Sequence, residues 1–210
     1  MLQYSLFTLL GLLLIVSHSP LSAEASIHEH GFWIGEEFRH YHKNDYPLAD
    51  ALVDFFLAED AESVVDFGCG TGDYIRILQH NNIECDGYDG NPDTFFISDG
   101  VAKIADLSQP LDLGKTYDWV LSLEVGDNIP QEYEKTFLEN IHKHNAKGVV
   151  ISWAIVGQGG VGHVNEQSND YIIEQMEAFG YEHDEYAEHK LRLAASFPWF
   201  KNTLMVFHKP

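Results

Sequence analysis

The segment Val64-Val65-Asp66-Phe67-Gly68-Cys69-Gly70-Thr71-Gly72 runs an apolar stretch straight into three glycines. Glycine lets the backbone turn tightly and approach a ligand with no side chain in between. A helix starting just beyond presents free N–H groups to the same point. Two ligand chemistries use such a turn, and the spacing separates them. A dinucleotide-binding turn, G-x-G-x-x-G, needs a third glycine where this chain has Asp73, and a carboxylate there would face a pyrophosphate unfavourably. That disfavours a Rossmann oxidoreductase. A ligand without phosphates meets no such conflict. Further acids follow in order: Asp89, Asp106 and Glu124 each come at or just after the end of a strand-like run. Any one of them alone would read as a solvated loop residue or a helix cap. Asp66, Asp89 and Asp106 at three consecutive strand ends read instead as a site.

A frame must bring those strand ends together. Strand-like runs recur at residues 63–67, 84–89, 101–105, 117–123, 148–153 and 203–208, with helical spacing between most of them. Asp45 and Pro47 open a first helix with Leu48, Leu52, Phe55 and Phe56 on one face. Further helices are expected at 73–80, from Pro130 onward, at 169–179 with Gly180 as stop, and around 191–195. Alternation of this kind implies an α/β fold with a parallel sheet, right-handed crossovers and helices on both faces. Ligands in such sheets bind outside the carboxyl ends of the strands. Cys69 and Cys85, the two cysteines, fall at opposite ends of neighbouring parallel strands, so neither a disulfide nor a metal pair is expected.

The chain's 210 residues suffice for one such domain. Against 12 Lys and Arg stand 33 Asp and Glu, a net charge of -21. Such a surface repels phosphate backbones and anionic lipid heads, which argues against nucleic acid or a membrane surface as partner. Solubility is the ordinary reading of that charge; a cationic or neutral partner is the other. At the front, the apolar run from Leu6 to Val16 is too short to span a bilayer, and Ala23-Glu24-Ala25 resembles a cleavage site. Residues 1–25 therefore read as a signal peptide, with a secreted or secretory-lumen protein and no stable membrane association after cleavage. An uncleaved anchor is the alternative, since no Lys or Arg precedes the run. Residues 26–62 form a cap segment and helix, and 63–210 the main domain.

Asp66-Phe67-Gly68-Cys69-Gly70-Thr71-Gly72 resembles the first motif, D-x-G-C-G-x-G, of the class I SAM-dependent methyltransferase superfamily. The likeness continues through Asp89, Asp106 and the stretch from Asp118 to Pro130. It implies a three-layer sandwich with a mostly parallel seven-stranded sheet whose last strand is antiparallel. It also implies S-adenosylmethionine (SAM) as cofactor and a small-molecule or peptide methyl acceptor. On that resemblance Gly68, Cys69, Gly70 and Gly72 would contact the methionine part and ribose through backbone. Asp66 would hold the turn or, through water, the ammonium. Asp89 would accept from both ribose hydroxyls, Asp106 from the adenine amino group, and Leu107 would offer its N–H to a ring nitrogen. Ser122-Leu123-Glu124-Val125-Gly126-Asp127-Asn128-Ile129-Pro130 resembles a second motif, S-L-E-V-x-E-H-I-P, which places Glu124 beside the methionine end. Asp127 and Asn128 depart from it, and Asn cannot take a proton at neutral pH. A fold that binds SAM without transferring its methyl is thus the alternative function.

The loop Gly157-Gln158-Gly159-Gly160-Val161-Gly162-His163 follows the fifth strand at the same edge. His163 is the candidate base or acceptor-orienting group, with Glu124 beside it; capping the next helix is the other role open to this histidine. Trp33 and Tyr41, in the aromatic segment before the first helix, would wall the acceptor or pack into the core. His28, His30, His40, His42, His142 and His144 read as surface residues rather than metal ligands, and no metal is expected.

Overall fold

A computed structural model describes residues 26–210; the expected signal peptide, residues 1–25, lies outside the described residues. A small hairpin comes first, β1 (Ser26–Ile27) against β2 (Trp33–Ile34), followed by a 3-10 turn over Glu36–His40. The first helix, α1 (Tyr46–Ala58), starts where Asp45 and Pro47 place it, with one Asp45 oxygen accepting from Leu48 N at 3.1 Å. The other oxygen accepts from the N–H groups of Ser196 and Phe197, both at 2.7 Å, and so ties this helix to the far end of the chain.

Then the alternation begins: β3 (Ser63–Phe67), α2 (Asp73–His80), β4 (Glu84–Asp89), α3 (Thr94–Ile97) and β5 (Lys103–Ile104). It continues through β6 (Tyr117–Leu123), α4 (Gln131–Lys143), β7 (Asn145–Ser152), α5 (Asn169–Ala178), β8 (Glu182–His183), α6 (Glu185–Ala194), α7 (Pro198–Thr203) and β9 (Leu204–His208). Seven strands form one sheet in the order β5-β4-β3-β6-β7-β9-β8. Pairing is parallel from β5 to β7, and β9 runs against both of its neighbours. The fold is therefore the mixed α/β sandwich expected, with its last strand reversed.

Period-two patterning divides the core between the two faces. Val64, Trp119, Leu121, Val150, Leu204 and Val206 pack with α1, α2 and α6. Val65, Val120, Val149, Ile151, Met205 and Phe207 pack with α4 and α5 on the opposite face. At Gly148 in β7 the packing leaves no room for a side chain: a Cβ would lie 2.3 Å from the Phe207 carbonyl oxygen and 2.5 Å from the Trp119 ring. Gly148→Ala should therefore destabilise the fold by about 1–3 kcal/mol, measurable as a lowered denaturant midpoint.

Several elements differ from expectation for local reasons. The strand expected at 101–105 contracts to Lys103–Ile104, because the N–H of Ala102 turns to the Ser98 hydroxyl at 3.2 Å. Residues 191–195 are the end of a helix that already begins at Glu185. The strand β8 has only two residues, both polar, and the sequence shows no period there. Cys69 and Cys85 are free, buried thiols. Among the described residues, no helix is long and apolar enough to cross a membrane.

Candidate active site

The carboxyl ends of β3, β4, β5 and β6 open onto a single cavity of about 530 Å³, within the range of small-molecule sites. Its floor is the turn after β3. Gly68 takes φ +81°, and a Cβ there would lie 2.2 Å from Val125 Cγ2, so only glycine fits. The N–H of Gly68 donates to the Tyr88 carbonyl at 2.7 Å, and that of Gly70 donates to Asp89 Oδ2 at 3.0 Å. Asp89 Oδ1 accepts from Asn91 N at 2.9 Å. Two backbone donors thus hold this carboxylate at the end of β4, each oxygen keeping a further lone pair.

Asp66, one residue before the end of β3, is buried, and its Oδ2 has no hydrogen-bond partner. Burial, reinforced by nearby Asp89, pushes its carboxyl up to about 8. Asp106 follows β5. Its Oδ1 accepts from the Ser108 N–H and hydroxyl at 3.0 and 2.7 Å, while Oδ2 lies 2.5 Å from His30 Nδ1. Burial acts to raise Asp106, but Ser108 and His30 together hold it below the usual carboxylate range. The buried Leu107 gives its carbonyl to Asn140 Nδ2 at 2.9 Å.

Glu124, just past β6, adopts φ +54°, a left-handed conformation that costs a residue with a side chain about 1–3 kcal/mol. It is held there by its N–H to the Ser152 hydroxyl at 2.9 Å, by Thr203 Oγ1 at 3.1 Å and by Gln158 Nε2 at 2.6 Å. The last two bonds tie the end of β6 to α7 and to the glycine-rich loop.

That loop is pinned through His163. Its Nε2 lies 3.0 Å from Asp127 Oδ2 and its Nδ1 3.1 Å from Glu166 Oε1. A neutral imidazole has one N–H, so the second contact needs another proton, on the ring or on Asp127. Asp127 is fully buried, and that burial pushes its carboxyl up. Glu166 also accepts from Gly157 N and Gly159 N, at 2.7 and 2.6 Å. The cap of α5 is Ser168, so His163 is not its cap.

Over the cavity lies the N-terminal segment. Phe32 packs on Gly90, where a Cβ would meet its ring atoms at 2.5 Å. His42 packs likewise on Gly70, with its Nδ1 2.4 Å from such a Cβ. Burial lowers the pKa of His42, partly offset by Asp89 and Asp73. Trp33 is half-buried, stacked on Phe38 at 4.7 Å with Tyr41 edge-on at 6.3 Å. Asp73 accepts from Asn44 Nδ2 at 2.6 Å and so fastens the end of the segment to the start of α2.

Of the residues singled out in the sequence, Asp66, Gly68, Cys69, Asp89, Asp106, Leu107 and Glu124 line the cavity. So do Trp33, Tyr41 and His163, on the cap side. Gly70 and Gly72 stand back from the wall, under His42 and Val101. The histidines read as surface residues divide. His40 is exposed, but His30 and His42 line the cavity, and His144 is buried against the Asn140 carbonyl at 2.7 Å. His28 stacks on Phe32 at 4.2 Å. No group of three or more His, Cys, Asp or Glu among the described residues could hold a metal ion. Asn128, set aside in the sequence because it cannot take a proton, also lines the cavity, as do Gln158 and Trp199.

The reversed last strand beside a parallel sheet and the acids at the carboxyl ends of neighbouring strands are the arrangement that the sequence resemblance implies. A family model described as a methyltransferase domain matches residues 38–186, and the chain belongs to that family. No curated protein matches the sequence. Among solved structures, a SAM-bound amino pentose methyltransferase of calicheamicin biosynthesis from Micromonospora echinaspora is similar, with TM-score 0.63, 15% identity, and 83% of this chain and 95% of that one covered. A TehB-like SAM-dependent methyltransferase from Corynebacterium glutamicum gives TM-score 0.61 and 20% identity over 83% and 93% of the two chains. The magnesium protoporphyrin IX methyltransferase of Synechocystis, with bound SAH, gives 0.57 and 16% over 82% and 91%. At these identities the likeness is one of fold.

Proposed function

We propose that the protein binds SAM in this cavity and transfers its methyl group to a small-molecule or peptide acceptor held under the cap. The observation that carries the reading is the row of carboxylates, Asp66, Asp89 and Asp106, at the ends of three adjacent strands around one glycine turn. The chemistry of these groups fits the cofactor. Asp66 Oδ2 is a buried acceptor without a donor, suited to an ammonium group directly or through water. Asp89 has lone pairs left for two vicinal hydroxyls. Asp106 offers an acceptor for an amino group once His30 moves aside. When bound, SAM supplies an electrophilic methyl group on a sulfonium centre.

The protein's own work is then to bind, orient and exclude water. Glu124, fixed by Thr203 and Gln158, sets the wall beside the methionine end. His163, clasped between Asp127 and Glu166, holds the loop that faces the acceptor, while Trp33 and Tyr41 close the other side. Holding a nucleophile in line with the methyl carbon supplies much of the rate in such a displacement. Incubating the protein with methyl-labelled SAM and a broad acceptor panel tests the proposal. Label transferred to an acceptor supports it. Binding of SAM with no transfer to any acceptor would favour the alternative, a SAM-binding module with the fold alone.

We also propose secretory targeting through residues 1–25, supported by the apolar run from Leu6 and the Ala23-Glu24-Ala25 site. N-terminal sequencing of the protein from its own cells should find a start near Ala25, and an intact Met1 would refute cleavage. A lumenal enzyme of this kind requires SAM to be carried in from the cytosol.

A further inference from the structure

Two residues that line the cavity each hold a buried oxygen without a hydrogen-bond partner in the protein, Asp66 Oδ2 and Asn128 Oδ1. The first fits the cofactor, as above. The second stands on the acceptor side. Its amide cannot turn round, because Nδ2 donates to Asp127 Oδ2 at 2.9 Å and to the Glu124 carbonyl at 3.4 Å. Flipping would set Oδ1 against the Glu124 carbonyl and lose the bond to an ionised Asp127. Asn128 Oδ1 lies 2.7 Å from the point a Cβ on Gly162 would occupy, and the indole Nε1 of Trp33 lies 3.1 Å from that same point. The lone acceptor therefore sits where the cap, the end of β6 and the glycine-rich loop meet.

The charges around it select among nucleophiles. Asp89, Asp106 and Glu124 line the cavity beside Asp66, whose burial keeps it protonated, and Lys43 is the one lysine or arginine among the lining residues. Carboxylates so placed repel an acceptor carrying a carboxylate or phosphate. They also disfavour an oxyanion, and so raise the pKa of any hydroxyl that must ionise before attack. His163 does not relieve this, since both its ring nitrogens already face carboxylates. An amine bears no negative charge at attack, although the carboxylates also favour its unreactive ammonium form, which must first lose a proton to water. It attacks as the neutral free base, keeps an N–H to donate, and becomes a cation that the acidic wall favours.

We propose that the methyl acceptor is a primary or secondary amine on an apolar body, recognised through an N–H donated to Asn128 Oδ1. In the step the amine lone pair forms the N–C bond, and the C–S bond breaks with its electron pair left on sulfur. The methylated ammonium then releases one proton to water. Trp33 and Tyr41, among the lining residues, offer aromatic surface to the apolar or cationic body. This rests on the methyl-transfer reading, and the experiment separates the two.

SAH binding to the full chain is measured first by calorimetry. Labelled SAM is then supplied with amines, alcohols, phenols, thiols and carboxylates matched on benzyl, indolyl and alkyl bodies. The proposal expects label on amines alone. It expects Asn128→Ala to lower kcat/KM for the amine by ~10-fold or more, with SAH affinity unchanged and the protein still folded, though less stable for the loss of the bonds to Asp127 and Glu124. Failure of SAH to bind would bring down the methyl-transfer reading itself. With SAH bound normally, label on oxygen or sulfur, no amine methylated, or an Asn128→Ala protein as active as the parent would each overturn the amine proposal.

Discussion

Replacing Asp89 with alanine should lower the affinity for SAM and for SAH at least ~100-fold while leaving the protein folded. The side chain sits at the end of β4, half-exposed on the cavity wall, with Oδ2 and Oδ1 held by the N–H groups of Gly70 and Asn91 at 3.0 and 2.9 Å. Those donors aim the carboxylate without using it up, so two vicinal hydroxyls can each find an acceptor. Hydrogen bonds to a charged group contribute about 1.5–3 kcal/mol each, and losing two accounts for a drop of that size. No apolar contact of the core goes with them, so stability should fall by only about 1–2 kcal/mol. Calorimetric titration with SAH, beside a thermal melt, reads both quantities. Affinity that stays within about twofold of the parent would show that the ribose is bound elsewhere.

The second large effect is on stability and depends on pH. Asp66 is 3% exposed, and its carboxyl is pushed from an ordinary 3.8 up to about 8, first by burial and then by Asp89. Folding therefore keeps a proton on Asp66 that the unfolded chain releases once the pH exceeds about 4. The contribution of this group to stability is complete below that point. It declines as pH rises and is lost by the time pH passes about 8. Asp66→Asn removes the ionisable group but keeps a polar side chain of the same shape. The variant should melt roughly 5–10 °C above the parent at pH 8 and much closer to it at pH 5. Above about pH 8, where Asp66 is ionised, its affinity for SAM should fall, because the neutral amide lacks the charge that would meet an ammonium. A melting difference that is constant from pH 5 to pH 8 would show that Asp66 does not titrate in this window. Stability is here sacrificed to keep an acceptor beneath the glycine turn, as happens at many functional sites.

The sequence carries the frame clearly because the frame rests on local patterns. Glu84–Asp89 and Asp73–His80 have the bounds expected, each closed by glycine, asparagine or proline. The acids at the strand ends are legible for the same reason, since a strand that stops at an Asp and a Gly stops at the carboxyl edge. What lies above that edge is not local. His30 meets Asp106 across 76 positions, and His42 meets Gly70 through a cap with no periodicity of its own. Histidines spaced two apart in an irregular segment read as surface, and His40 is exposed, yet His30 and His42 fold inward. Proton chemistry alone gives Asn128 no role, and it overlooks an amide oxygen left without a donor. The left-handed backbone of Glu124 has no sequence mark at all, since no glycine announces it.

The most direct test of the account is a crystal structure of the protein grown with SAH. The ribose hydroxyls should lie on Asp89 and the adenine amino group on Asp106 Oδ2, with His30 Nδ1 displaced from its 2.5 Å contact there. SAH bound away from the glycine turn, or a His30–Asp106 contact left intact beneath a ligand seated elsewhere, would contradict it.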